Sequence, residues 1–149
     1  MNAGSRETIQ VGEMGIRFLV ESAESNGSAS IFEVSVPVGS KMPVPHSHDA
    51  FEETMYGLEG VTSVTVEGQA HEVGPGEAVC IPRGAVHGFD NQGSEDAKFL
   101  AVSTPGVMSP DYFREIQEVL AASAGGPPDP AKIGEVMTRH GLTLAPPPT

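Results

Sequence analysis

The sequence predicts an all-β sandwich or barrel followed by two helices. Three observations carry this. Apolar residues alternate at period two in short runs, spaced roughly ten residues apart, up to Thr104. Turn formers separate the runs: Gly and Pro account for 18 and 13 of 149 residues, a share that suits many short strands and stops short of a disordered composition. Beyond Thr104 the apolar spacing lengthens to the helical period. Two late helices are too few to cover both faces of a parallel sheet.

Residues 1–6 read as loose, and from Thr8 the chain reads as strand. Ile16, Phe18 and Val20 share one face there. Residues 21–30 are polar, with Asn26-Gly27 at the tip of a hairpin loop. Residues 31–38 return as strand, with Phe32, Val34 and Val36 on one side. Pro43 and Pro45 follow, and Pro45 drives Val44 towards an extended conformation. Residues 53–58 form the next strand. Thr62, Val64 and Val66 alternate in another, which stops at Glu67-Gly68. Short strands are expected over 69–73, 78–81, 86–89 and 98–104, with turns at Gly74-Pro75-Gly76, at 82–85 and at 90–96. Ser109-Pro110-Asp111 then opens a helix as N-cap, first-turn proline and first-turn acid. Its apolar stripe is Tyr112, Phe113, Ile116, Val119 and Leu120, and Gly125-Gly126 ends it. Asp129-Pro130 opens a second helix with Ile133, Val136 and Met137 on one side, stopped by Gly141. The expected division is a barrel over 1–106, a helical extension over 107–142 and a disordered Pro-rich tail over 143–149. The helical stripes are expected to pack on an outer face rather than close a barrel mouth.

The length fits one domain. A net charge of -12, with eight Lys and Arg in all, argues against nucleic acid and anionic lipid as partners. The single cysteine, Cys80, allows no intramolecular disulfide and is expected to pack as a small apolar residue. No apolar stretch approaches the ~20 residues of a membrane span, and the N-terminus lacks an apolar core for export. The expectation is a soluble cytoplasmic protein.

Chemistry concentrates in two segments. His46 and His48 are two apart, so on an extended chain both imidazoles face one side and Ser47 the other. Glu52 and Glu53 follow; adjacent on a strand, only one can face inward, and periodicity leaves the choice open. His87 lies behind the turn Pro82-Arg83-Gly84. Three neutral imidazoles and a carboxylate form a mixed N/O set for a first-row divalent ion. A closed structural zinc site would use cysteines the chain lacks. His71 and His140 have no partner at ligand spacing, and Asn91 reads as a turn former. Met42 and Met55 suit a cavity wall or ordinary core equally. Glu77, Arg83 and Lys98 are the charged residues near these strands.

The spacing of the two segments resembles the cupin superfamily. Gly39, His46-Ser47-His48, Glu53 and Gly60 resemble its first motif, with a leading gap one residue longer than usual. Gly76, Pro82-Arg83-Gly84, His87 and Asn91 resemble the second with every spacing met. The resemblance implies an antiparallel jelly-roll β-barrel with a metal inside, held by His46, His48, Glu53 and His87. It selects Glu53 over Glu52. It also implies a small-molecule ligand or substrate in the barrel, and a homodimer. The ion is left among Fe, Mn, Ni, Zn and Cu. Three functions follow as expectations. The leading one is a metal-dependent oxidoreductase of dioxygenase type, with Glu53 as a possible base. The second is a redox-neutral isomerase, cyclase or decarboxylase. The third is a non-catalytic binding or sensing module.

Overall fold

A computed structural model describes residues 6–42, 44–123 and 125–146. The expectations for residues 1–5, Pro43 and 147–149 lie outside these. The described residues form eleven strands and two helices, with the two helices after the last predicted strand as expected. The strands are β1 (Ile9–Val11), β2 (Met14–Val20), β3 (Ser30–Val36), β4 (His46–His48), β5 (Glu52–Glu59), β6 (Thr62–Val66), β7 (Gln69–Val73), β8 (Ala78–Ile81), β9 (His87–Asp90), β10 (Ala97–Thr104) and β11 (Leu142–Leu144). The helices are α1 (Pro110–Ala122) and α2 (Pro130–Arg139).

All pairings are antiparallel and fall into two sheets. One sheet has the order β1-β2-β3-β10-β5-β8 and the other β11-β4-β9-β6-β7. The alternation seen in the sequence is the division between core and exterior. Phe32, Val34 and Val36 of β3 are buried, as are Ala97, Phe99 and Ala101 of β10, while Glu33 and Lys98 face outward into ion pairs. Asn91 is the expected turn former: its amide donates to the Val36 and Glu95 carbonyls, and its Oδ1 accepts from the Gly93 N–H.

Four expectations are corrected. The strand beginning near Thr8 is two strands, turned at Gly12 (φ +61°). The 21–30 loop contains a 3-10 helix, Ser22–Ser25, closed by Asn26 in the left-handed region. Cys80 is exposed on β8, because its alternate position on that edge strand points away from the core. Thr143 and Leu144 lie not in a tail but in β11, where the antiparallel register sets Leu142, Thr143 and Leu144 opposite His48, Ser47 and His46. Ser109 is the N-cap of α1 as expected, with extended backbone and no side-chain capping bond, whereas at α2 the Asp129 carboxylate accepts from the Ala131 N–H.

The helices do more than cover an outer face. α1 packs on β1 and α2 on β11. Phe113 meets Phe18 and Phe32 with ring centroids 5.9 and 5.4 Å apart, and Tyr112, Ile116, Ile133 and Met137 are buried over the space between the sheets. No helix among the described residues is long and apolar enough to cross a membrane.

Candidate metal centre

β4 is a three-residue strand whose burial alternates, His46 and His48 inward and Ser47 half-exposed. Upstream, Met42 N–H donates to the Phe89 carbonyl and Lys41 bridges to Asp90, which ties this part of the chain to β9. β9 starts at His87, directly opposite His46. The imidazoles therefore converge: ring centroids are 5.2 Å apart for His46–His48, 4.7 Å for His46–His87 and 4.5 Å for His48–His87. One potential ligand atom from each lies within 4.8 Å of the others.

Backbone carbonyls orient two of the rings. His46 Nδ1–H donates to Val44 O at 3.3 Å, and His87 Nδ1–H donates to Ala85 O at 3.0 Å. Each bond leaves Nε2 with its lone pair, the form a metal ligand needs. The third ring is held by packing, since His48 stacks on fully buried Phe51 at 4.3 Å and 14°. His87 Nε2 and His48 Nδ1 are buried without a hydrogen-bond partner. Burial, reinforced by the neighbouring imidazoles, lowers the pKa of His46 to about 3 and of His48 to about 2; burial also lowers His87. Three neutral imidazoles, two of them with a buried ring nitrogen that lacks a partner, fit a divalent first-row ion.

Glu53 comes from the facing sheet. It is buried on β5, paired in register with Ile81 of β8 and Ser103 of β10. Its side chain lines the same cavity as the histidines but stands outside the group of ligand atoms within 4.8 Å. Burial alone pushes its pKa up to about 7. Glu52 points outward and accepts from Arg83 Nε and Nη2, the latter at 2.9 Å. Gly60, at the end of the first motif, is positive in φ (+58°), and a Cβ there would lie 2.4 Å from Asp96 O.

The cavity has a volume of about 60 Å3. Its polar lining is His46, His48, Glu53, His87 and Tyr112; the rest is apolar and rich in Met and Phe. Met42 is in the wall, whereas Met55 is ordinary buried core. None of the charged residues flagged near the motif strands reaches it: Arg83 pairs with Glu52, Lys98 approaches Glu59 at 4.0 Å, and Glu77 accepts from the Gly74 N–H. His71 is exposed, and His140 bonds Glu115 on α1.

Sequence reasoning passed over Tyr112, Phe51 and the helical part of the wall. Met108, Tyr112, Phe113 and Ile116 enter from α1 and the segment before it, and Ile133 and Met137 from α2. Their only sequence signal is an apolar stripe at helical spacing, which any packed helix shows. Burial pushes the Tyr112 phenol pKa well up, and the charge of Glu53 adds to the shift.

A family model described as a cupin domain matches residues 32–103, from β3 to β10. A quercetin 2,3-dioxygenase of Bacillus subtilis is 26% identical over 116 residues, which are 78% of this chain but 34% of that protein's length. An uncharacterized protein of Methanocaldococcus jannaschii is 36% identical over 91 residues, covering 61% of this chain and 68% of that protein. Among solved structures, the polyketide cyclase RemF from Streptomyces resistomycificus is 27% identical with a TM-score of 0.59, covering 78% of this chain and 91% of that one. Two antiparallel sheets, histidines converging from β4 and β9, and these matches lead to one conclusion: the chain belongs to the cupin superfamily.

Proposed function

We propose that the protein is a metal-dependent enzyme, most simply an oxidoreductase of dioxygenase type, acting on a small uncharged organic substrate held between the sheets. The observation that carries this reading is the cluster of three neutral, buried imidazoles at one end of an apolar cavity. His46, His48 and His87 would hold the ion, with Glu53 as a fourth ligand from the facing strand. A divalent ion bound there supplies Lewis acidity and coordination positions open to an oxygen-bearing ligand.

The chain's own residues set the rest. Burial raises the pKa of the Glu53 carboxyl in the metal-free chain; an ion held by the histidines would favour its carboxylate form, the form that serves as a ligand or as a base. The lining contains neither Lys nor Arg, so a phosphate or an unchelated carboxylate would find no counter-charge. The Met side chains of the wall can adapt to the shape of an apolar ring. The likeness to a quercetin 2,3-dioxygenase supports oxygen chemistry on an aromatic substrate.

A redox-neutral reaction is the second reading, favoured by the polyketide cyclase that matches this chain over nearly its own whole length. Metal analysis of untagged protein, then turnover assays of the Fe, Mn, Ni, Cu and Zn forms with catechol-like and enediol substrates, tests both. Oxygen uptake by a redox-active form supports the first. Anaerobic turnover by the zinc form supports the second. Protein that binds no metal and turns over nothing sinks both.

A further inference from the structure

Tyr112 is the one polar group in the cavity wall that belongs to neither metal motif. It is 5% exposed, on the first turn of α1, with its ring edge-on to Phe113 at 5.0 Å and to His140 at 5.5 Å. Its hydroxyl has no hydrogen bond to any described residue. The ring is buried, but the hydroxyl is not among the buried side-chain atoms that lack a partner, so it keeps accessible surface, and phenylalanine would fill the same space without placing a polar group there. Neighbouring positions on the wall do carry phenylalanine: Phe113 beside it, and Phe32, Phe89 and Phe99 from the sheets. The hydroxyl therefore has no role that packing explains.

The space it faces has a definite capacity. At about 10–15 Å3 for each water by this measure, the cavity of about 60 Å3 holds on the order of four to six waters, comparable to one six-membered ring. One boundary of that space is the histidine cluster, and another is the Tyr112 phenol. Apart from Glu53, the remaining walls are apolar, and none carries a Lys or Arg.

We propose that Tyr112 is a substrate-positioning residue, whose hydroxyl hydrogen-bonds an oxygen of an uncharged, single-ring ligand carrying a second oxygen towards the three histidines. This rests on the reading of the cavity as a substrate site beside a metal. It adds a ligand class, a ring with two oxygen substituents, and a recognition group supplied by the C-terminal helices rather than by the barrel. Tyr112 fixes which way the ring lies; it carries no bond-making step.

Calorimetric titration with phenol and with the three dihydroxybenzenes tests this, on zinc-loaded and metal-free protein. For wild type, at least one dihydroxybenzene is expected to bind more tightly than phenol. Tyr112→Phe is expected to weaken that dihydroxybenzene about tenfold, the worth of one buried hydrogen bond, with phenol binding and zinc stoichiometry unchanged. Phe113→Leu reshapes the wall without removing a hydroxyl, and should weaken both probes alike. Equal loss of phenol and dihydroxybenzene in Tyr112→Phe would reduce Tyr112 to packing and overturn the inference. So would unchanged binding of both, which would mean that the hydroxyl meets water only. Failure of wild type to bind any dihydroxybenzene overturns the ligand class. Failure of wild type to bind zinc overturns the metal reading separately, while binding to metal-free protein still reports on Tyr112.

Discussion

Leu142 lies opposite His48 in the register of β11 on β4. The last described strand of the chain is thus paired with the strand that carries two of the three histidines. Leu142 is 1% exposed, and the pairing is framed by Asp49 N–H donating to Gly141 O and Ala145 N–H donating to Pro45 O. With α1 and α2 between β10 and β11, the C-terminal segment lines part of the cavity and is fastened beside the site. Leu142→Ala should destabilise the fold by about 2–5 kcal/mol, as for other buried leucines. It should also weaken zinc binding, because β4 loses packing on that side. Urea denaturation and a zinc titration measure the two effects; a destabilised variant with unchanged zinc affinity would uncouple this segment from the site.

Glu52 and Glu53 are adjacent and make opposite predictions. Glu53→Gln should lower zinc affinity by about tenfold or more, within the range seen when groups supporting a metal are lost. Glu52→Gln removes an exposed pairing with Arg83 and should leave zinc affinity unchanged. Competition titrations against a chromogenic chelator read both. Equal effects would mean that Glu53 does not approach the ion.

Stability of the metal-free protein should fall on the acid side. His46 and His48 have pKa values lowered from 6.5 to about 3 and about 2, so below 6.5 the unfolded chain binds protons that the folded one refuses. Their contribution is present at neutral pH and is lost as pH falls from 6.5 towards 3. Glu53 works in the other direction. Its pKa is raised from 4.5 to about 7, so its contribution is present below 4.5 and lost as pH rises through 7. Between those limits the imidazoles outnumber the carboxyl, and the net slope is positive with pH. Urea midpoints of chelator-treated protein from about pH 7 down to about pH 4 check the sign; a rise in stability on acidification would contradict it.

His87→Leu should separate metal binding from folding. It removes a ring whose Nε2 is buried without a partner, and with it the Nδ1 bond to Ala85 O. These losses oppose each other, so metal-free stability should change by no more than about 1 kcal/mol. Zinc affinity should drop by more than about 100-fold, beyond what loss of an outer supporting group costs. Thermal melts with and without zinc show it directly: the wild-type melting temperature should rise with zinc and that of the variant should not.

Gly57 sits inside β5, where its N–H donates to Glu77 O and its carbonyl accepts from the Gly76 N–H. A Cβ there would lie 2.0 Å from Gly74 O, in a turn with no flexible side chain to yield. Gly57→Ala should cost about 3 kcal/mol or more, read from the urea midpoint. A neutral result would show that the β7–β8 turn is free to shift.

The parts legible in the sequence are those governed by local rules. His46 and His48 share a face because strand geometry repeats every two residues. Asp129-Pro130 starts α2 because capping chemistry acts within one turn. The same local reasoning missed the break at Gly12, where a turn with few sequence cues interrupts an apolar run. The motif spacing located the histidines and chose Glu53, a choice periodicity could not make.

What the sequence by itself determined was the strand pattern, the two helices, and which side chains could bind a metal. What only the tertiary structure decided was which of them meet and what encloses them. His87 reaches His46 through a strand pairing between residues 41 positions apart in the chain. Glu53 faces that cluster from the opposite sheet, and Tyr112 and Leu142 arrive from the C-terminal end, one into the cavity wall and one opposite His48. Those contacts arise from burying the helices' apolar stripes against a barrel that the helical sequence does not encode. An apolar stripe records that a helix must be covered; only the packed chain records by what.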